Sequence, residues 1–444
     1  MTGAVDAADI SRPITHRRVL LVALPIVLSN ATVPLMGVVD TFAVGQLGRA
    51  EPIGAVALGA TILTSVYWIF GFLRMGTAGM VAQAHGAGNR AEVSALLTRA
   101  LVISLGAGAV FIAAQALLIA AALSLSRGSA EVESLAAQYL TIRIWGAPAA
   151  IAVYALTGWL VALERTGGVF ALQLVMNGGN IVLSLTFVLG LGWGVPGVAA
   201  ATLLAEFGGA AVGLWLCRDA FARPAWRDWP AVFDRVRLAE FGSVNRDIMI
   251  RSVLLTLCFA SVTFSGTALG DTTLAANQIL IQFVYVSAYA LDGFAFAAEA
   301  MVGSAMGARN PAVLRRAALM TSFWAILVTA LVTLAYLVFG ETLLRGMTTA
   351  VDVQEEALRY LPWAIAAPLI GAPAFMLDGI FIGATRARDM RNMMILSALG
   401  YAAAMAVAVP AYGNHGLWLA LTVFFVLRGV TLGWRYPALE AAAR

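Results

Sequence analysis

The sequence predicts an all-α integral membrane protein, with twelve transmembrane helices in two pseudo-symmetric six-helix bundles. Three observations carry that prediction. The 444 residues are 61% hydrophobic and 12% charged, with a mean hydropathy of +0.86, whereas an average soluble domain is about 25% charged. Twelve apolar runs are each long enough to cross a hydrocarbon core, which takes about 20 helical residues. The two halves of the chain also match one another in register. A soluble globule of this size needs polar side chains over its surface, and this chain lacks them. A cytosolic enzyme is excluded.

Taken in order, the runs begin near Arg18, Ile53, Val93, Leu135, Gly168 and Val195. After a polar break at 218–240 they resume near Val244, Leu274, Arg316, Glu356, Met393 and Gly416. The implied division is an N-terminal cytoplasmic segment at 1–17, a lobe at 18–217, a cytoplasmic linker at 218–243 and a second lobe at 244–436. The first run exceeds the roughly 7–15 apolar residues of a signal peptide, so it reads as a retained helix. Pro34 cannot donate to the carbonyl of Asn30 and its ring clashes there, which predicts a bend in helix 1. Pro25 and Gly37 are further weak points on the same helix.

Orientation follows the arginines, since the 28 basic residues include no lysine. With a cytoplasmic N-terminus, twenty arginines, Arg12 among them, fall in inside segments; Arg49, Arg127, Arg345 and Arg359 fall outside. That asymmetry puts both termini in the cytoplasm. The net charge of +4 and pI near 9.3 do not indicate a nucleic-acid partner, because the arginines sit in short loops rather than along one face. Cys217 and Cys258 lie in apolar runs without metal or disulfide spacing, and His16, His85 and His415 are scattered. No cofactor is expected.

A shift of 221 residues lays Gly86-Ala87-Gly88-Asn89 on Gly307-Ala308-Arg309-Asn310, Tyr139-Leu140 on Tyr360-Leu361, and Thr157-Gly158 on Asp378-Gly379. Leu47-Gly48 and Leu269-Gly270 match at a shift of 222. Six helices per repeat makes the repeats parallel, related by an axis along the membrane normal. Two such bundles imply a central cleft and alternating access, a geometry suited to a transporter.

Ionisable groups at bilayer depth cost at least about 2.5–3.5 kcal/mol each, so each needs a partner or a purpose. The acids are Asp40, Glu206, Asp292, Glu299 and Asp378; the bases are Arg74, Arg251 and Arg428, with Arg143 near a helix end. At about 1.5 Å per residue, Asp40 lies in the outer half with Asn180, Ser184 and Thr202. Asn180 and Ser184 are one turn apart on one face. Arg74, Arg251, Asp292, Glu299 and Asp378 share an inner depth and form either a structural charge cluster or a second ion site. Asp40 has no base near its depth in its own half, and an unpaired buried carboxyl takes up a proton near neutral pH. An acid close to a helix end can also snorkel or cap. Glu206, near midplane, and Arg428 are assigned neither a structural nor a transport role.

Several of these stretches resemble a known family. They are Asn30-Ala-Thr-Val-Pro-Leu-Met-Gly-Val-Val-Asp40-Thr, Phe72-Leu-Arg-Met-Gly-Thr and Asn245-Arg-Asp-Ile-Met-Ile-Arg. Tyr289-Ala-Leu-Asp-Gly-Phe-Ala-Phe, Leu377-Asp-Gly-Ile-Phe-Ile-Gly-Ala-Thr-Arg-Ala and Gly413-Asn-His-Gly-Leu-Trp-Leu-Ala-Leu-Thr-Val-Phe complete the set. From Arg17 to Arg435 the chain resembles the multidrug and toxic compound extrusion (MATE) family, in particular its DNA-damage-inducible protein F (DinF) branch. The resemblance implies a MATE-like fold and a bacterial inner-membrane antiporter that exports cationic or amphipathic small molecules in exchange for H⁺ or Na⁺. It maps the proton-carrying helix 1 carboxylate to Asp40 and its polar neighbours to Asn180 and Thr202. Related members carry a second carboxylate one turn after that asparagine, where this chain has Ser184. Asp378 matches an acidic position used by sodium-coupled relatives. The expected partners are substrate and membrane lipid, with the chain acting as a monomer. A lipid or oligosaccharide flippase of the same superfamily is the rival, and would want several arginines lining a cleft to hold pyrophosphate.

Overall fold

The computed structural model describes residues 13–124, 126 and 129–444. Twelve helices in it are long and apolar enough to cross a membrane. They are α1 His16–Gly45, α2 Ala50–Gly86, α3 Arg90–Ala113, α4 Ala130–Ala162, α5 Thr166–Gly190 and α6 Gly194–Leu216. The second half supplies α7 Arg235–Thr267, α8 Asp271–Gly307, α9 Pro311–Met347, α10 Val351–Gly383, α11 Ala387–Tyr412 and α12 Asn414–Ala441. No strand occurs among the described residues. Arg12 and Arg127, counted above for orientation, lie outside them, as does most of the 1–17 segment.

The helices begin earlier than the apolar runs do. α7 starts at Arg235 rather than near Val244, inside the stretch read as a linker, and Asp234 Oδ1 caps it by accepting from the Arg237 amide at 3.0 Å. Polar residues propagate a helix in water as readily as apolar ones, so hydropathy marks only the part in contact with lipid. The rest of 218–234 is not open coil either. It forms single turns at Arg218–Phe221, Pro224–Arg227 and Trp229–Val232. Arg99 of α3, 1% exposed, ties this segment down by donating to the carbonyls of Val232 at 2.8 Å and Ala231 at 2.9 Å. Its third bond goes to Glu92 at 2.7 Å. Arg99→Ala should therefore destabilise the protein by about 3 kcal/mol, because it strands two carbonyls and leaves Glu92 with only its exposed partner Arg237. Thermal unfolding in detergent measures this, and a wild-type midpoint would contradict the role.

Three helices depart from regularity. α2 breaks at Ile69–Phe70, α4 tightens into a 3₁₀ turn at Ile144–Gly146 ahead of Pro148, and α5 ends in a π turn at Thr186–Gly190. Such π turns recur at functional sites. α1 is helical from His16 to Gly45, through Pro25 and Gly37. The side chains of Pro34, where the bend was expected, and Leu35 lie outside the described residues.

The chain divides into two compact units. One, here the N-terminal unit, comprises Leu28–Val81 and Asn89–Phe241; the other, the C-terminal unit, holds the residues through Val27, Ala82–Gly88 and Gly242–Arg444. Of the three unit boundaries within the first half, two fall inside helices, at Val27/Leu28 of α1 and Val81/Ala82 of α2, and the third in the turn at Gly88/Asn89. The core of the N-terminal unit includes Val44, Leu63, Tyr67, Tyr139 and Val198, and that of the C-terminal unit Leu280, Phe283, Tyr360, Trp418 and Phe424. Outward-facing positions carry apolar side chains, such as Phe264 at 74% and Val407 at 72% exposure, as a lipid-facing surface requires.

The internal repeat extends to the backbone. Left-handed conformations occur at Gly88 and Arg309, Glu164 and Thr385, and Gly192 and Gly413, each pair 221 apart, and at Gly48 and Gly270, 222 apart. Two of the three glycine pairs that matched in sequence are close-approach positions. A Cβ at Gly158 would strike the Arg74 carbonyl, and one at Gly379 the Ala295 carbonyl, again 221 residues on. Within the C-terminal unit, Gly86 abuts the Ser304 backbone and Gly307 abuts the Gln83 backbone, a reciprocal pair under the same shift. The repeat therefore reflects backbone geometry that admits no side chain.

Candidate functional site

In the N-terminal unit the polar residues predicted from the sequence come together on α1, α5 and α6. Ser184 Oγ donates to Asp40 Oδ1 at 2.7 Å. One turn earlier, Asn180 Nδ2 donates to Thr202 Oγ1 at 2.8 Å, and Thr202 in turn bonds the Val198 carbonyl at 3.0 Å. Asn177 Nδ2 reaches back to Thr32 Oγ1 of α1 at 2.7 Å. Asn180 and Ser184 are fully buried and Thr202 is 6% exposed. Asn180 Oδ1 has no hydrogen-bond partner among the described residues, so this buried amide keeps an acceptor in reserve. The face of α5 that carries Asn177, Asn180 and Ser184 ends where the π turn begins.

The sequence places no base at Asp40's depth, and this is corrected. Arg143, read as lying near a helix end, is 7% exposed and well inside the 33-residue α4, and its charge acts on Asp40. The apolar signal began near Leu135, whereas α4 begins at Ala130. Arg143 Nη1 donates to Glu206 Oε2 of α6 at 2.7 Å, and Tyr67 and Tyr139 adjoin the guanidinium. Glu206, left unassigned by the sequence, is thus the counter-ion of Arg143. The 3₁₀ turn puts Gly146 against that carboxylate, and a Cβ there would collide with Glu206 Oε2. Asp40 makes no ion pair among the described residues. It is held by a hydroxyl and lies near a cation that belongs to another acid.

In the C-terminal unit, Asp378 Oδ2 of α10 accepts from both Arg251 Nη2 of α7 and Arg428 Nη2 of α12. All three are at most 5% exposed. Arg428 lies over the rings of Phe375 and Phe424, 5.5 and 5.4 Å from their centres. Its Nε and Nη1, and Arg251 Nε, have no hydrogen-bond partner among the described residues. Of the inner charges expected from depth, Arg251 and Asp378 pair and Arg428 joins them; Arg74 lies in the N-terminal unit. Glu299 on α8 is buried and Asp292 half-buried.

Beyond the spans, Cys217 is buried at the end of α6, and burial pushes its thiol up, which keeps it protonated and unreactive.

This is the architecture of a multi-pass α-helical membrane transporter, with buried polar side chains gathered inside each unit. A family model described as MatE matches residues 25–206 and 248–409, and the chain belongs to that family, the multidrug and toxic compound extrusion transporters. It is 40% identical over 427 residues to the DNA damage-inducible protein F of Escherichia coli K12, covering 93% of this chain and 90% of that one. It is 28% identical over 447 residues to a probable multidrug resistance protein NorM of Bradyrhizobium diazoefficiens, covering 93% and 91%. Among solved structures, an outward-facing multidrug resistance MATE transporter superposes with a TM-score of 0.88 at 19% identity, over 100% of this chain and 99% of that one. A MATE in complex with MaD3S gives the same score, over 99% of both. The two-lobed, twelve-helix fold expected from the sequence is the fold of these structures.

Proposed function

We propose that this chain is a bacterial inner-membrane antiporter that exports cationic or amphipathic small molecules in exchange for protons, with Asp40 as the proton carrier. The observation that supports this most is the hydrogen bond from Ser184 to Asp40 beside the complete Arg143–Glu206 pair. Glu206 has its counter-ion, so Asp40 is the acid in this unit free to exchange its charge. When Asp40 is ionised, the Ser184 hydroxyl donates to it; when it is protonated, the carboxyl becomes a donor and the Asn180 Oδ1 acceptor lies one turn away. Ser184 stands where relatives carry a second carboxylate, and a hydroxyl there supplies a hydrogen bond without a second proton.

Proton coupling is favoured over sodium coupling by the other unit. The acid at the sodium-associated position, Asp378, already serves two guanidinium groups. A cation entering there would face net positive charge. The driving force is adequate. One proton moving down about 100 mV yields about 2.3 kcal/mol and one pH unit about 1.4 kcal/mol, together enough for roughly a 500-fold gradient of a neutral substrate.

The surplus positive charge of Arg251 and Arg428 is the one feature that favours the flippase reading. Accumulation of a fluorescent lipophilic cation in cells separates the two. The antiporter lowers accumulation about ten-fold on expression and an uncoupler restores it, whereas a flippase of anionic lipid-linked substrates leaves accumulation unchanged.

A further inference from the structure

At the head of α11 the C-terminal unit contains a cavity of about 340 Å³ bounded by Ser243, Arg246, Asp247, Thr385, Arg388 and Arg391. Its three arginines face one carboxylate. Asp247, 5% exposed, accepts from Arg391 Nη1 at 2.8 Å and from Arg246 Nη2 at 3.1 Å, so it holds these two guanidinium groups at the wall while the three arginines leave the cavity with net positive charge. Arg388 is exposed and has no hydrogen-bond or ion-pair partner among the described residues. The neighbouring acid, Asp389, is taken by Arg435 at 2.9 Å. The N-cap residue of α11, Arg386, supplies no side-chain cap, which leaves the first-turn amides of a 26-residue helix to add to the positive field.

The rim is rigid. Thr385 holds a left-handed backbone, φ 50°, unusual for a β-branched residue. Gln83 Nε2 clamps that turn, donating to Thr385 Oγ1 at 2.9 Å and to the Gly383 carbonyl at 3.1 Å.

The internal repeat provides a control for what the fold itself requires. Under the 221-residue shift, Arg388 corresponds to Gly167, Arg391 to Phe170, Arg246 to Pro25 and Asp247 to Ile26. The equivalent turn of the first half, with its own left-handed residue Glu164, forms without any of these charges. The charges are therefore not what builds the turn. The arginine distribution assigns this end of α7 and α11 to the cytoplasmic side, where anionic lipid headgroups are met.

We propose that this cavity binds a phosphate-bearing anion, and that its source is the headgroup of an anionic phospholipid of the inner leaflet. Anion binding there is read on the full-length protein and independently of transport. Short-chain phosphatidylglycerol, short-chain phosphatidylcholine and inorganic phosphate are titrated separately into delipidated protein in detergent, with thermal stabilisation as the readout. Phosphatidylglycerol should bind at least roughly fivefold more tightly than either of the others, and Arg388→Ala should weaken it about fivefold while Arg388→Lys retains most of the affinity. Because Arg388 is exposed and unpaired, these variants should keep the unliganded stability of the wild type. Equal binding of the two lipids, wild-type affinity in Arg388→Ala, or phosphate binding as tight as that of phosphatidylglycerol would each overturn the proposal.

Discussion

Asp40→Asn is expected to abolish proton-driven export while the protein still folds and inserts. The amide keeps an oxygen to accept the Ser184 hydroxyl and is of nearly equal volume, so the local packing of α1 on α5 persists. What it loses is the ability to alternate between a charged and a neutral form, and with it the exchange of a proton for substrate. Under the proposed antiport, substrate and proton compete at this group, and each weakens the binding of the other by the same factor. Asp40→Glu retains the titrating group on a longer stem and should keep part of the activity. Efflux from vesicles under an imposed pH gradient, with protein amount checked for each variant, measures both. Wild-type efflux in Asp40→Asn would end the assignment.

Asp378→Asn is expected to cost stability rather than to act on coupling. It removes the only carboxylate hydrogen-bonded to Arg251 and Arg428 among the described residues and leaves two desolvated guanidinium groups side by side, a loss of about 3–5 kcal/mol. Arg428→Met should cost less than that, because it leaves a one-to-one Arg251–Asp378 pair and fills the space between Phe375 and Phe424 with an apolar side chain. The order of the two unfolding midpoints in detergent is the check. If Arg428→Met were the more destabilising, the triad would owe its stability to the cation–ring contacts rather than to charge balance.

Much of this was legible in the sequence, and the reason differs from element to element. The spans show because lipid admits no polar surface. The repeat shows because Gly158 and Gly379 lie where a neighbouring carbonyl leaves no space for a Cβ, and because Gly48, Gly192 and Gly413 occupy left-handed turns. The partnership of Asp40 with Ser184 was within reach of periodicity and depth, since Asn180 and Ser184 share a face of α5. The Arg143–Glu206 pair was not. Its members lie 63 residues apart on helices whose polar ends extend past the apolar signal, which displaced Arg143 toward an end it does not occupy. Arg428 was unreadable for a related reason, because only packing of α7, α10 and α12 brings it to the acid that Arg251 already holds. The π turn at Thr186–Gly190 has no glycine or proline signal before Gly190.

The most direct test of proton coupling at Asp40 is substrate-induced proton release from purified protein in proteoliposomes, measured with and without Na⁺. The account predicts that a lipophilic cation releases protons from the wild type equally in both conditions and releases none from Asp40→Asn. Release that requires Na⁺, or that persists undiminished in Asp40→Asn, would contradict it.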